Sequence, residues 1–158
     1  MRARTVLPAG SWDSAAAVDT VLLDCDSRHR RRIVLPTVGG RELLLDLART
    51  VRLRDGDGLA LDEGGVVRVA ARLEALAEIH AHDEGGLARI AWHLGNRHLP
   101  VQFVDKRIRI RIDHVIEEMV ELLGGHVGHI EAAFDPESGA YAGGQSHHGL
   151  SHDHAHDD

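Results

Sequence analysis

Turn-forming residues recur so closely through the first 70 residues that the segments between them have the length of β-strands. The clearest turns are Gly39-Gly40, Asp55-Gly-Asp-Gly58 and Glu63-Gly-Gly65. The intervening runs are rich in Val, Ile and Leu, which strands favour; they cover residues 20–25, 32–35, 42–47, 51–53 and 59–61. We therefore predict a small antiparallel, all-β N-terminal domain over residues 1–70.

Two amphipathic helices are predicted in the following segment. Apolar residues recur at helical spacing from Leu87 to Leu94, and Gly95 is placed to end this first helix. Pro100 prevents the helix from continuing. Asp113 is a favourable N-cap for the second helix, which the glycines at 124 and 125 end.

Strands are predicted around these helices at residues 101–104, 107–112 and 126–134. The second of them alternates strictly between arginine and isoleucine, so the arginines are expected to form a solvated face or a contact for an acidic partner. Residues 66–79 are ambiguous, because strand alternation gives way to helix-forming residues. If they are mainly strand, residues 71–141 have the order β-α-β-β-α-β, and the chain is an α+β protein with a ferredoxin-like second domain.

The last segment, residues 142–158, contains almost nothing that can form a core, and we predict that it is a disordered His-rich tail. Its histidines alternate with Gly, Ser, Ala and Asp, whereas a purification tag is normally an uninterrupted histidine run. Imidazole nitrogens bind zinc, copper, iron and nickel, so the tail is a candidate metal ligand set rather than merely a solvated polar segment. The histidines are His147, His148, His152, His154 and His156.

Charge is distributed unevenly along the chain. All 18 Lys and Arg residues lie at or before Arg111, whereas residues 112–158 contain ten Asp and Glu and no basic residue. An acidic segment of this kind attracts cations and repels nucleic acid. The single cysteine, Cys25, excludes a disulfide framework and a Cys-rich zinc site within one chain. We found no apolar run of membrane-spanning length and no signal-peptide pattern, so a cytoplasmic protein is expected.

A second candidate ligand lies at the end of the first predicted helix, in the sequence His93-Leu-Gly-Asn-Arg-His98. His98 falls in a loop between Gly95 and Pro100, where a lone histidine is usually only polar surface. One imidazole cannot hold a divalent ion, but a two-fold dimer axis that placed His98 beside its mate would supply two.

His114 is a third candidate, because it shares a helix face with three glutamates, although an exposed helix face explains it equally well. The remaining histidines give weaker signals. His126 and His129 are expected on a strand edge, and His80 and His82 in a polar connection. The basic run 28–32, which includes His29, is read as a solvated strand end or a docking site for an acidic partner.

Two motifs resemble the UreE family of urease accessory proteins, which are nickel metallochaperones. The first is Trp92-His-Leu-Gly-Asn-Arg-His-Leu-Pro-Val-Gln102, and the second is Glu131-Ala-Ala-Phe-Asp-Pro-Glu-Ser-Gly-Ala-Tyr141 before a His-rich tail. Residues 53–58 and 66–70 also fit the N-terminal domain of that family.

The resemblance implies a peptide-binding N-terminal domain, a ferredoxin-like metal-binding domain and a homodimer with the second domains at its centre. It implies that His98 binds nickel with its symmetry mate and that His114 occupies the position of an auxiliary ligand. A further auxiliary histidine of some members corresponds to Ile112 here. The implied partners are the urease apoprotein complex and its accessory GTPase, to which Ni²⁺ is delivered.

The leading hypothesis is therefore a nickel carrier for urease metallocentre assembly, and the second is a general nickel or zinc storage or buffering protein without directed delivery. An enzyme is disfavoured, because catalysis needs rigidly held ligands that the sequence does not provide. Ligand chemistry alone does not place nickel above copper or zinc, since copper binds such ligands most tightly. The assignment of nickel comes from the resemblance.

Overall fold

The computed structural model describes residues 1–139, which form two β-sheets joined by a short link at Arg72. The first sheet contains β1 (Arg2–Leu7), β2 (Asp19–Leu23), β3 (Arg32–Pro36), β4 (Glu42–Asp46), β5 (Gly58–Leu61) and β6 (Val66–Ala71). The second contains β7 (Leu73–His80), β8 (Gln102–Val104), β9 (Arg107–Arg111) and β10 (His126–Ala133), with α1 (Glu84–Asn96) and α2 (His114–Leu122).

The first sheet has the order β2-β6-β5-β1-β4-β3. An antiparallel sheet was predicted, but the observed sheet is mixed. Its β1–β4 and β2–β6 pairs are parallel. Close turn spacing indicates hairpins between successive strands, but both parallel pairs join strands that are distant in sequence and leave no local signal. The β1 strand was not predicted, since its fully buried residue is the small Ala3.

The segment 51–53 was predicted as a strand, and this is wrong: it is irregular chain in the structure. Leu53 is nevertheless fully buried, and its N–H donates to the Arg28 carbonyl at 2.8 Å. Its apolar character therefore reflects burial in the first core rather than pairing within a ladder.

The second sheet is antiparallel throughout, in the order β10-β7-β9-β8. Both helices cover one face of it, where Ala77, Ile79, Ile108 and Ile110 pack against side chains of α1 and α2. The ambiguous residues 66–79 are strands, divided between β6 and β7. Pairing of β7 with two neighbouring strands outweighs the helix-forming composition of its residues.

A buried arginine joins the two domains. Arg28 is only 1% exposed, and its Nη2 donates to the carbonyl oxygen of Phe134, just after β10. Its Nη1 lies 3.5 Å from the Leu53 carbonyl oxygen. Phe134 is itself fully buried in a small cluster with Cys25 and Leu76, which lie in different domains. The expectation that Arg28 lies at a solvated strand end is therefore wrong.

All three arginines of β9 donate hydrogen bonds to acidic side chains of the same chain. Arg111 donates to Asp26 of the first domain at 2.8 Å, and hydrogen bonding to that carboxylate raises the pKa of Arg111 above its usual range. Arg107 and Arg109 donate to Glu78 on the neighbouring strand. The predicted alternation of β9 is confirmed. Its arginine face is partly solvated, with the side chains of Arg107, Arg109 and Arg111 38%, 19% and 42% exposed, and it contacts acidic side chains of the same chain.

Neither of the two helices, of 13 and nine residues, has the length and apolar character needed to cross a membrane; this holds for residues 1–139.

Replacing Arg28 tests this domain contact. Arg28→Ala removes the donor from the Phe134 carbonyl oxygen and leaves a cavity, so we expect a loss of about 2–3 kcal/mol in the free energy of unfolding. Urea denaturation followed by tryptophan fluorescence measures it. The matched control is Arg30→Ala, at an exposed neighbouring position, with an expected change below about 0.5 kcal/mol. Equal effects of the two substitutions would show that Arg28 does not join the domains.

Candidate metal centre

The end of α1 is a turn of the Schellman type that positions His98. The His98 N–H donates to the Gly95 carbonyl at 3.0 Å, and the Leu99 N–H reaches back to the Leu94 carbonyl at 3.4 Å. Leu94 is fully buried, and Leu99 packs against the same core. The helix therefore continues through Gly95, which was predicted to end it, and reverses at His98 instead.

The backbone of His98 is left-handed, with φ of 54°. The same turn ends α2, where Gly124 and Gly125 donate to the carbonyls of Glu121 and Val120, each at 2.9 Å. There the left-handed residue is Gly124, with φ of 87°. The two helix ends thus share one hydrogen-bond pattern, but the position at which glycine is normal holds a histidine in α1.

The side chain of His98 is exposed although its backbone is fixed on both sides. Leu99 is anchored in the core directly after it, and Pro100 restricts the chain one residue later. An imidazole held in this way is available to a ligand outside the chain. The arrangement differs from a lone polar side chain on an unrestrained loop.

His114 is the first residue of α2 and is also exposed. The helix begins as predicted, because the Asp113 carboxylate accepts hydrogen bonds from the N–H groups of Val115 at 3.0 Å and Ile116 at 3.3 Å. A cavity lined by Leu99 and Pro100 on one side and by Ile112 and Asp113 on the other connects the His98 turn to this helix start.

Several large apolar side chains near these elements are exposed. Trp92 on α1 is 63% exposed, Val115 on α2 is 56% exposed, and Ile112, just before α2, is 44% exposed. Phe103, on the edge strand β8, is 47% exposed. Apolar side chains of this size on neighbouring elements are typical of a surface that a partner covers.

The other histidines of the described part occupy distinct environments. His93 lies on α1 with its ring edge-to-face to Trp92, at 5.0 Å between centroids. His129 pairs with Glu117 of α2. His126 and His129 both lie on β10, an edge strand, as predicted. His80 is the last residue of β7 rather than part of a loop.

One pairing was missed by sequence reasoning. Nε2 of His82 and Nε2 of His126 are 3.2 Å apart, although the residues are 44 positions apart in sequence. The register that aligns His126 with His80 across β10 and β7 produces this proximity. A prediction of that register would have been needed to find it.

Glu78 lies on β7, two residues before His80, and its carboxylate accepts hydrogen bonds from two arginines. Burial alone raises its pKa, but hydrogen bonds from Arg109 and Arg107 outweigh burial, so the pKa lies below its usual range. These bonds measure 2.9 and 3.0 Å, and His80 Nε2 lies 3.3 Å from the same carboxylate. Both carboxylate oxygens of Glu78 therefore already accept hydrogen bonds from arginine.

Within residues 1–139, no group of three or more His, Cys, Asp or Glu side chains is arranged to hold a metal ion. His98 and His114 each stand on the surface as single donors from their elements. The tail histidines His147, His148, His152, His154 and His156 lie outside the described residues.

Two family models match the chain in succession. The N-terminal domain of the UreE urease accessory protein matches residues 3–72, and its C-terminal domain matches residues 74–158. Their boundary coincides with the link between the two sheets at Arg72.

Several relatives named urease accessory protein UreE match nearly the whole chain. The one from Beijerinckia indica is 52% identical over 94% of this chain and 86% of its own length. The one from Rhodopseudomonas palustris strain BisB18 is 54% identical over 98% and 72%, and that from Rhodobacter capsulatus is 43% identical over 97% and 92%. With a sheet-rich N-terminal domain and an α/β C-terminal domain that both match, the chain belongs to the UreE family of urease accessory proteins.

Proposed function

We propose that this protein is a nickel-binding metallochaperone that delivers Ni²⁺ for assembly of the urease metallocentre, and that it acts in the cytoplasm without catalysing a reaction. The observation that carries the proposal is the left-handed backbone of His98 at a helix end where its counterpart in α2 is glycine. A left-handed conformation costs a residue with a side chain about 1–2 kcal/mol. Strain of this kind clusters at functional sites but is not confined to them, since Asp105 in the turn between β8 and β9 has the same φ of 54°.

The proposed site needs two copies of the chain. One imidazole leaves most of the coordination sphere of a divalent ion empty, so we propose a homodimer in which His98 of each protomer binds the same nickel ion. The exposed Trp92, Ile112 and Val115 support this arrangement, because a dimer contact would remove their apolar surface from water. His114, at the start of α2, is proposed as an auxiliary ligand.

The tail is proposed to capture metal. Its five histidines and three aspartates offer nitrogen and oxygen donors in quick succession along the chain. These donors fit Ni²⁺, and also Zn²⁺ or Cu²⁺ in vitro. Binding by histidines requires neutral imidazoles, so uptake should weaken as the pH falls through about 6.5.

We propose a division of labour along the chain: residues 1–70 bind a peptide or protein partner, residues 71–141 form a ferredoxin-like metal-binding domain, and residues 142–158 form the tail. The ferredoxin-like assignment is supported by the β-α-β-β-α-β order and by the sheet order β10-β7-β9-β8. The proposed partners are the urease apoprotein complex and its accessory GTPase.

A storage or buffering protein is the alternative, favoured by the histidine content of the tail. Nickel titration calorimetry on three forms separates the two functions: the intact protein, a chain ending at Tyr141, and that shorter chain with His98→Ala. We expect the shorter chain to keep one tightly bound ion per dimer and His98→Ala to abolish it. Loss of all binding with the tail would favour the buffer and contradict the His98 site.

Replacing His98 by glycine separates binding from folding. We expect His98→Gly in the chain ending at Tyr141 to abolish tight nickel binding and yet to raise the metal-free unfolding free energy by about 0.5–1 kcal/mol, because glycine adopts the left-handed conformation without strain. Chemical denaturation in the presence of a chelator measures this change.

The matched control is Gly124→His, which places histidine at the equivalent position of α2 and should lower stability by a similar amount. If His98→Gly destabilises the metal-free protein, the backbone at position 98 is not strained. The conformation of His98 then gives no support to a metal-binding role for its side chain.

A further inference from the structure

Three histidines meet at one end of the second sheet, away from the turn that holds His98. His80 ends β7, His126 begins β10 directly opposite it, and His82 follows two residues after His80. All three are exposed. His80 and His82 precede α1 in the chain and His126 pairs with His80 across the sheet, whereas His98 follows α1.

Two of these side chains point their Nε2 atoms at each other. The Nε2 atoms of His82 and His126 are 3.2 Å apart, and the rings meet edge-to-face with an interplanar angle of 85°. In the absence of a metal, one ring donates its Nε2–H and the other accepts it. Such a hydrogen bond also holds both nitrogens where a single ion can reach them.

The separation of the two nitrogens fits a shared ion. Metal–imidazole bonds measure about 2.0–2.1 Å, so two nitrogens 3.2 Å apart subtend about 100° at an ion that both of them bind. This N–metal–N angle lies between the angle of about 90° for neighbouring ligands of a square-planar ion and the angle of about 109° for a tetrahedral ion. For the donor ring to bind the ion through Nε2, its proton moves to Nδ1 by way of solvent, so that both rings stay neutral.

Neighbouring side chains leave the remaining positions to water. Glu78 is occupied by Arg107 and Arg109. The Asp83 carboxylate accepts a hydrogen bond from the Gly86 N–H at 2.6 Å as the N-cap of α1. His80 Nε2 lies 3.3 Å from the Glu78 carboxylate, and His80 does not complete a three-ligand group with His82 and His126. Within residues 1–139, the pair therefore offers two nitrogens and an open, solvated face.

We propose that His82 and His126 form a second metal site, one per chain, for a late first-row divalent ion, with Cu²⁺ bound more tightly than Ni²⁺ or Zn²⁺. It is distinct from the site proposed at His98, because the 13 residues of α1 separate the two by about 20 Å. A site within each chain binds one ion per protomer, whereas the site proposed at His98 binds one ion per pair of protomers.

The test uses the full-length chain with the five tail histidines changed to asparagine and with His98→Ala and His114→Ala, so that the other proposed ligands do not contribute. Cu²⁺ is added in the presence of a competing chelator, and bound copper is followed by calorimetry and electron paramagnetic resonance. We expect one ion per chain, coupled to two imidazole nitrogens. His82→Gln and His126→Gln should each weaken binding at least tenfold, roughly, because half of the protein ligands are lost.

His29→Gln is the matched control, since His29 is also exposed but belongs to the basic run of the first domain. It should leave copper binding unchanged, and circular dichroism should show that all three variants fold alike. The proposal is overturned if His82→Gln and His29→Gln bind copper equally, or if a single nitrogen is coupled to the ion. Because the background lacks His98, neither result depends on whether the protein delivers nickel.

Discussion

The backbone of His98 is fixed by the burial of leucines on both sides of one helix end. Leu94 and Leu99 both pack into the core of the second domain, and the chain reverses direction between them. This reversal requires a left-handed residue at position 98, with φ of 54°. The imidazole is therefore presented at a fixed place on the surface, next to a cavity that reaches the start of α2.

The second domain is in turn attached to the first by hydrogen bonds, one of them from a buried arginine, and not by the link at Arg72 alone. Arg28 reaches across to the Phe134 carbonyl oxygen, and Arg111 donates to Asp26 in the opposite direction. Donors from each domain thus meet acceptors in the other. If the second domains dimerise through His98, the first domains are held at defined positions on the outside, where partner proteins can approach.

Sequence reasoning was most successful where the signal was local. The Asp113 cap, the alternation of β9 and the end of α2 at Gly124 each depend on a few neighbouring residues, and each is present in the structure. The parallel strand pairs, the burial of Arg28 and the His82–His126 contact depend on register between distant segments. Gly95 was a misleading signal, because core contacts of Leu94 and Leu99 decide where α1 ends.

The most direct test of the proposed nickel site is anomalous diffraction at the nickel edge from crystals of the nickel-loaded chain ending at Tyr141. The account predicts one strong nickel peak on a two-fold axis, about 2.0–2.2 Å from an imidazole nitrogen of His98 in each of two protomers. A nickel peak bound by histidines of one protomer only, with His98 left in solvent, would contradict it.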